Sequence, residues 1–358
     1  MLSLAAWLHD LDPVIVRITP GLAVRWYGLA YTLGFLYAWW VMRWLARRGA
    51  TPLHEDRIAD AMLTLVLCVV IGGRLGYALV YDPSLFTRFD NTPPWWALLA
   101  VHKGGMAYHG ALVGVMVGGW LVARGRKKAE GAREGVVPWR HVMDLGAIAC
   151  TVGLGLGRVA NFVNGELLGK IVAPPGAPAP WWAVKFPQEL LEDSPPALTP
   201  EQSERLAVLL DRVRPPGGND VDAAERLVAL IQSGPAETAA RLSADLEPLL
   251  SARHPSQLYQ AFFEGVILTA LVWWLWRRPR VPGVVGASFL VGYGVLRVVA
   301  EFYRLPDAQF AIGRPGGLSR GQWLSVAMVV GGLAVLAWLR ARREPSMGGW
   351  AEKRVAAT

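Results

Sequence analysis

Apolar residues along this chain gather into seven long stretches, at about 22–43, 58–81, 105–123, 141–163, 258–276, 283–303 and 321–340. A helix that crosses a bilayer needs roughly 20 mostly apolar residues. The pattern therefore predicts an all-α polytopic membrane protein with seven transmembrane helices. The first thirteen residues, MLSLAAWLHDLDP, form a shorter apolar run that Asp10, Asp12 and Pro13 break. They lack the basic start of a cleavable signal and read as a short helix lying on the membrane surface.

One long stretch is different. Residues 171–253 are polar and Pro-rich. Thr199-Pro200-Glu201-Gln202 is a capping box with proline at the first helical position, so a helix is expected to start there. Leu206, Leu209, Leu210 and Val213 give that helix one apolar face. Similar patterns follow near 220–232 and 236–250, and Pro215-Pro216-Gly217-Gly218 separates the first two. This predicts an external cap of two or three short helices. The expected division is spans one to four in 1–170, the helical insertion in 171–253, spans five to seven in 254–342, and a tail in 343–358.

Composition supports the membrane reading. Of 358 residues, 53% are hydrophobic and 18% charged, against about 25% charged in an ordinary soluble domain. Seventeen tryptophans suit a chain with two bilayer interfaces. Basic residues set the orientation: eighteen follow spans one, three, five and seven, and seven lie in the short connections on the other side. The positive-inside rule then places the N-terminus outside and the C-terminus in the cytoplasm. It also accounts for the net charge of +8 without nucleic acid, since those loops lack interleaved aromatics. Cys68 and Cys150 both lie in apolar runs and read as packing residues.

The chemistry lies in polar residues placed within or at the edge of the spans: Arg74, His109, Arg158, Asn161, Asn164, Glu166, Arg297 and Glu301. An arginine at the centre of a spanning helix costs about 2.5–3.5 kcal/mol on insertion scales. Arg297 and Glu301 stand four apart and can neutralise each other, which leaves Arg74 and Arg158 as surplus positive charge in need of an anion. With the orientation above, all these groups fall in the outer half of the bilayer and can converge on one cavity. Glycines precede them, at Gly72-Gly73, Gly104-Gly105 and Gly153, Gly155 and Gly157, consistent with close helix packing or a ligand near the backbone. Gly155-Leu-Gly157-Arg-Val-Ala160 lies inside a membrane helix with no preceding strand, so it is no dinucleotide fingerprint. Gly165-Glu-Leu-Leu-Gly169-Lys170 is one residue short of a P-loop, and no metal-spaced histidine pair exists; neither metal nor cofactor is expected. Arginines that bind phosphate bidentately, beside a histidine able to act as a base, point to an enzyme acting on a phospholipid or a carrier of one. A lipid or anion transporter and a membrane scaffold are the competing classes. No internal repeat supports the first, and the second leaves the buried arginines unexplained.

Several blocks carry a resemblance. They are Leu11-Asp12-Pro13-Val14-Ile15, Arg25-Trp26-Tyr27-Gly28, Gly72-Gly73-Arg74-Leu75-Gly76-Tyr77 and Gly104-Gly105-Met106-Ala107-Tyr108-His109-Gly110. A long run follows from Gly157-Arg158 through Asn161 and Asn164-Gly165-Glu166 to Gly169. His254-Pro255-Ser256-Gln257-Leu258-Tyr259, Tyr293-Gly294-Val295-Leu296-Arg297 with Glu301, and Ser319-Arg320-Gly321-Gln322 complete the set. In this order they resemble the bacterial prolipoprotein diacylglyceryl transferase family over essentially the whole chain. The resemblance implies an enzyme of the bacterial cytoplasmic (inner) membrane with its insertion in the periplasm. Its substrates would be phosphatidylglycerol and the lipobox cysteine of a preprolipoprotein signal peptide, and its products a thioether and glycerol phosphate. It further implies His109 as the base and Arg158 and Arg297 as phosphate ligands. Tyr27, Asn161, Glu166, Gly169, Tyr293 and Glu301 are then supporting substrate-binding positions, and Arg74 is either structural or a third phosphate contact. The insertion between Gly169 and His254 is longer than expected of the family, and Trp181-Trp182 within it is either an interfacial anchor or packing under the cap.

Overall fold

A computed structural model describes residues 6–19, 22–91, 93–101, 104–127, 133–192, 198–305 and 320–350. Its helices are α1 (Trp26–Arg47), α2 (Ile58–Val80), α3 (Tyr108–Ala123), α4 (Trp139–Asn164), α5 (Pro200–Val213), α6 (Asp220–Ser233), α7 (Ala236–Leu246), α8 (Ser256–Gln260), α9 (Leu268–Trp276), α10 (Val284–Glu301) and α11 (Arg320–Arg340). A π-helical turn, Ala261–Ile267, joins α8 to α9. Among the described residues, five stretches are long and apolar enough to cross a membrane: Glu55–Val80, Trp139–Asn164, Ser256–Trp276, Val284–Glu301 and Gly321–Arg340. The other two predicted spans are helical but fall short for separate reasons. Helix α3 is apolar but has only 16 residues. Helix α1 has 22, but Trp26, Tyr27, Tyr31, Tyr37, Trp39, Trp40 and Trp44 lower its mean hydropathy. Ser319 and Arg314 lie outside the described residues.

The chain forms two compact units. The first holds residues 1–35, 151–270 and 290–331. Here the N-terminal expectation is overturned: Trp7–Leu8 is not a surface helix but a strand, β1. It pairs in parallel with β5 (Val184–Lys185), which pairs with β6 (Ala252–Arg253), which pairs with β4 (Ile171–Ala173). The cause is His9, which is fully buried. Its backbone N–H donates to the Lys185 carbonyl at 2.8 Å, and its Nε2–H donates to the Phe162 carbonyl at 2.7 Å, so strand pairing and the end of α4 fix this segment together. A hairpin of β2 (Val14–Thr19) and β3 (Leu22–Arg25) then leads into α1. The cap is helical as expected. Thr199 accepts from the Gln202 N–H and the Gln202 side chain accepts from the Thr199 N–H, so α5 starts where its capping box predicts. Asn219 and Asp222 form a second box at the start of α6. Leu209, Leu227, Ile231, Leu246 and Leu250 make the cap's core, and Leu8 and Leu190 pack against it.

The second unit holds residues 36–150, 271–289 and 332–358. Helices α2 and α3 pack backbone to backbone there. A Cβ on Gly72 would overlap the Gly110 carbonyl, one on Gly76 would lie 2.7 Å from the Gly110 Cα, and one on Gly114 would overlap the Cys68 carbonyl. These are small residues four apart on both helices, the pattern that lets membrane helices approach closely. The opposite face of α2 exposes Leu63, Leu67, Ile71, Leu75 and Leu79, one residue per turn. Arginines stack on tryptophans in this unit: Arg43 on Trp39, Arg48 on Trp44, Arg124 on Trp120, Arg277 on Trp274, and Arg140 and Arg342 on Trp338. Asp144 on α4 accepts the N–H groups of Gly283 and Gly286 at 2.7 Å each, satisfying donors at the start of α10 that its own helix cannot.

Burial holds the His9 pKa below its ordinary value near 6.5, against the smaller raising effects of its Phe162 hydrogen bond and Asp10. The unfolded chain therefore takes up this proton first as pH falls, so the His9 contribution is complete above about pH 6.5 and declines below it. The apparent Tm of the wild type should drop between pH 7 and 5 relative to its drop in His9→Gln; identical pH dependence of the two would show that His9 is not buried neutral.

Candidate active site

The end of α4 and the loop after it carry most of the polar residues singled out from the sequence. A helix leaves its last four carbonyls without partners, and here three of them find one. The Asn161 carbonyl accepts from the Glu166 N–H (3.0 Å), that of Phe162 from the Gly165 N–H (2.9 Å) and from His9, and that of Asn164 from Gln188 Nε2 (3.5 Å). The loop that follows is held by the block 253–257. Gln257 Nε2 donates to the Glu166 carbonyl (2.5 Å), Ser256 Oγ to that of Leu167 (3.1 Å), Arg253 Nη1 to that of Gly169 (3.0 Å), and the His254 N–H to that of Lys170 (3.1 Å). On its other side the loop pairs with 303–305: the Lys170 N–H donates to the Tyr303 carbonyl and the Leu305 N–H to that of Leu168, both at 2.9 Å, and Gly169 bridges Arg304. Gly169 has no room for a side chain, because a Cβ would overlap the His254 carbonyl. Arg253 is itself fixed by a fully buried ion pair with Glu189 at 2.6 Å.

This backbone framework presents the Glu166 carboxylate. Its Oε2 accepts from the Tyr27 hydroxyl (2.7 Å) and the Asn161 amide (3.3 Å), and its Oε1 from the Asn164 amide (3.2 Å). Asn161 also donates to the Tyr27 oxygen. Tyr27 at the start of α1 is thereby oriented, with its proton toward Glu166.

One turn before Asn161, Arg158 Nε donates to Glu264 Oε2 at 2.9 Å. Glu264 is fully buried, and its Oε1 has no hydrogen-bond partner among the described residues. The pair is thus a single contact rather than a bidentate fork. Tyr293 on α10 also hydrogen-bonds Arg158. Close approach makes the pair possible: a Cβ on Gly155 would lie 2.5 Å from the Cα of Gly265. At Gly157 a Cβ would meet nothing within 4 Å among the described residues beyond its chain neighbours, so the packing role open to that residue on sequence grounds is not used there. Arg297 Nη1 donates to the buried Gln260 Oε1 at 3.1 Å, and its Nη2 lies 3.5 Å from Glu301. Glu301 also lies 3.7 Å from Arg304.

The first unit therefore brings together Tyr27, Arg158, Asn161, Glu166, Gly169, Tyr293, Arg297 and Glu301. Arg74 and His109 belong to the second. His109 stands exposed in the first turn of α3. Arg74 is buried and donates to five backbone carbonyls. The expectation of surplus positive charge needs correcting. Arg158 has a carboxylate partner, and Arg74 is solvated by carbonyl dipoles, so neither requires an anion in order to be buried. Glu264 and Gln260 escaped the sequence reading, although a signal was present: a carboxylate in an apolar span is as improbable as an arginine. The π-helical turn that aims Glu264 is a feature that recurs at functional sites. Trp182 stacks on His254 at 5.1 Å, and His254 meets Tyr259 and Tyr303 edge-on. Partial burial, with the nearby Lys170 charge, holds the His254 pKa below its ordinary value.

The family model of prolipoprotein diacylglyceryl transferase matches residues 13–338 of this chain. A phosphatidylglycerol–prolipoprotein diacylglyceryl transferase of Bdellovibrio bacteriovorus is 38% identical over 355 residues, covering 93% of this chain and 94% of its own length. Proteins of the same name from Chromobacterium violaceum and Shigella boydii are 35% and 33% identical, covering 93% and 95% of this chain and 97% and 98% of their own.

Removing one partner of a buried ion pair costs about 3–5 kcal/mol, mostly because the other charge is stranded. Glu264→Gln should therefore lower the apparent Tm more than the double variant Arg158→Met/Glu264→Leu does. A double variant at the sum of the losses of Arg158→Met and Glu264→Leu would mean that the pair is not coupled.

Proposed function

The chain belongs to the prolipoprotein diacylglyceryl transferase family, and on that premise we propose how its residues divide the work. It is a transferase of the first step of lipoprotein maturation. It moves the diacylglyceryl group of phosphatidylglycerol onto the thiol of a prolipoprotein's lipobox cysteine. The sulfur–carbon bond forms at the glyceryl carbon, the carbon–oxygen bond to phosphate breaks, the thiol proton goes to a base, and glycerol phosphate leaves. We propose that the seven apolar helical stretches all cross a bacterial inner membrane with the N-terminus outside. The excess of basic residues in the connections after spans one, three, five and seven supports this orientation.

In the proposed mechanism Arg158 and Arg297 receive the lipid phosphate. The phosphodiester carries one negative charge and its monoester product gains another as the carbon–oxygen bond breaks. Cations at that oxygen therefore stabilise the transition state more than the bound lipid, which is the condition for catalysis. The observation that carries this reading is that neither guanidinium is held by a bidentate carboxylate: Arg158 makes one bond to Glu264 and meets Tyr293, and Arg297 donates to Gln260 with Glu301 at 3.5 Å. Each is oriented without its planar fork being closed in a bidentate pair. Tyr27, Asn161 and Glu166 form the adjoining polar wall that positions substrate, with Gly169 giving close backbone approach. Tyr293 and Glu301 keep the arginines in register. His109 takes the proton of the incoming thiol, whose ordinary pKa of about 8.5 leaves it largely unreactive at neutral pH.

Purified protein given phosphatidylglycerol vesicles and a lipobox peptide should add one diacylglyceryl mass to the peptide. Arg158→Lys and Arg297→Lys should each lose about 100-fold or more in rate, because lysine supplies no planar fork; wild-type rates in both would remove the clamp. His109→Gln should lose about 10²–10⁴-fold at neutral pH and recover part of it as pH rises and the thiol ionises unaided. A constant deficit across pH would mean that His109 takes no proton.

A further inference from the structure

We infer that Arg74 is a positioning residue for the His109 base and not a ligand of the lipid phosphate; the inference rests on the reading of His109 given above. A guanidinium has five N–H donors, and in Arg74 all five are directed at backbone carbonyls. Nε donates to Leu98 (2.8 Å), Nη1 to Gly104 (2.6 Å) and Gly105 (2.9 Å), and Nη2 to Ala97 (2.5 Å) and Ala100 (3.4 Å). The side chain cannot turn its fork to a phosphate without breaking these bonds. The cavity that Arg74 borders, about 260 Å³, is also lined by Asp82 and Asp90, which repel an anion, and its Arg88 lies 3.9 Å from Asp82.

What the five bonds do is gather two separate points of the long α2–α3 connection, 97–100 and 104–105, onto one atom group of α2. Gly105 is four residues before His109. The Ala107 N–H donates to the Gly73 carbonyl (2.9 Å), and Ala107 is the cap of α3. The position of α3's first turn, and with it His109, is therefore set by Arg74 and its neighbour Gly73. The contact at Gly105 leaves no slack. Its φ is +74°, and a Cβ there would lie 2.6 Å from Arg74 Nη1 and 2.9 Å from the Tyr77 ring.

The test is steady-state kinetics with phosphatidylglycerol vesicles and a lipobox peptide for Arg74→Lys, Gly105→Ala and His109→Gln, singly and with each of the first two combined with the third. Arg74→Lys should lower kcat about 10- to 100-fold through misplacement of the base, leave KM for phosphatidylglycerol within about twofold, and show the alkaline recovery of His109→Gln. Neither Arg74→Lys nor Gly105→Ala should slow the His109→Gln enzyme further. Gly105→Ala displaces the clamp while keeping the Arg74 charge, so it carries the test if Arg74→Lys fails to fold. Losses that multiply with that of His109→Gln, or a raised KM with kcat unchanged, would overturn the inference. A wild-type rate in His109→Gln would instead remove the base reading itself, and with it anything for Arg74 to position.

Discussion

An arginine within an apolar helix must be solvated by the protein, because lipid offers it nothing. In this chain the requirement for Arg158 is met by Glu264, a fully buried carboxylate from a neighbouring segment, and much of the first unit is arranged so that the two can meet. Glycine faces glycine at 155 and 265, which brings the backbones close enough. A π-helical turn spans Glu264, and Gln260 one turn earlier holds Arg297. One short stretch of chain thus orients both arginines on which the proposed chemistry depends.

The same economy governs the loop after α4. Its carbonyls from 166 to 170 are taken by Gln257, Ser256, Leu305, Arg253 and His254 in turn. The two long blocks that carry the family resemblance, the run from Gly157 to Gly169 and the His-Pro-Ser-Gln-Leu-Tyr block, are therefore one device. The second block closes three of these bonds, Arg253 just before it and Leu305 close the other two, and the result is a fixed Glu166 carboxylate collecting Tyr27, Asn161 and Asn164. The insertion contributes at its base, where Glu189 anchors Arg253. Its helices bury their own leucines, and Leu8 of the N-terminal strand and Leu190 at the base of the insertion pack against them.

Features set by local chemistry were legible in the sequence. The Thr199-Pro200-Glu201-Gln202 box fixed the start of α5 because every group involved lies within four residues. The seven apolar stretches became helices because each satisfies its own backbone, as a membrane helix must. Features set by distant partners were not legible. Trp7–Leu8 looks like an amphipathic helix until Val184–Lys185 offers it an edge, 177 residues away in the chain. Arg158 looks unpaired until the fold brings in Glu264, 106 residues away. Of the site, the residue types could be read directly, and their roles came from the resemblance. Which side chain neutralises which, and that Arg74 is spent on backbone, required the three-dimensional arrangement.

The central claim is that Arg158 and Arg297, tethered by Glu264 and Gln260, are where the lipid phosphate binds. Catalysis obscures that question, so the most direct measurement is phosphatidylglycerol binding in a catalytically impaired background. His109→Gln, which leaves both arginines and their tethers in place, should bind phosphatidylglycerol in mixed micelles with the wild-type Kd. His109→Gln/Arg158→Lys should bind it at least about tenfold more weakly, the loss expected for a charge-assisted bidentate contact reduced to a point charge. Equal affinity of the two variants would contradict the account and place the phosphate elsewhere.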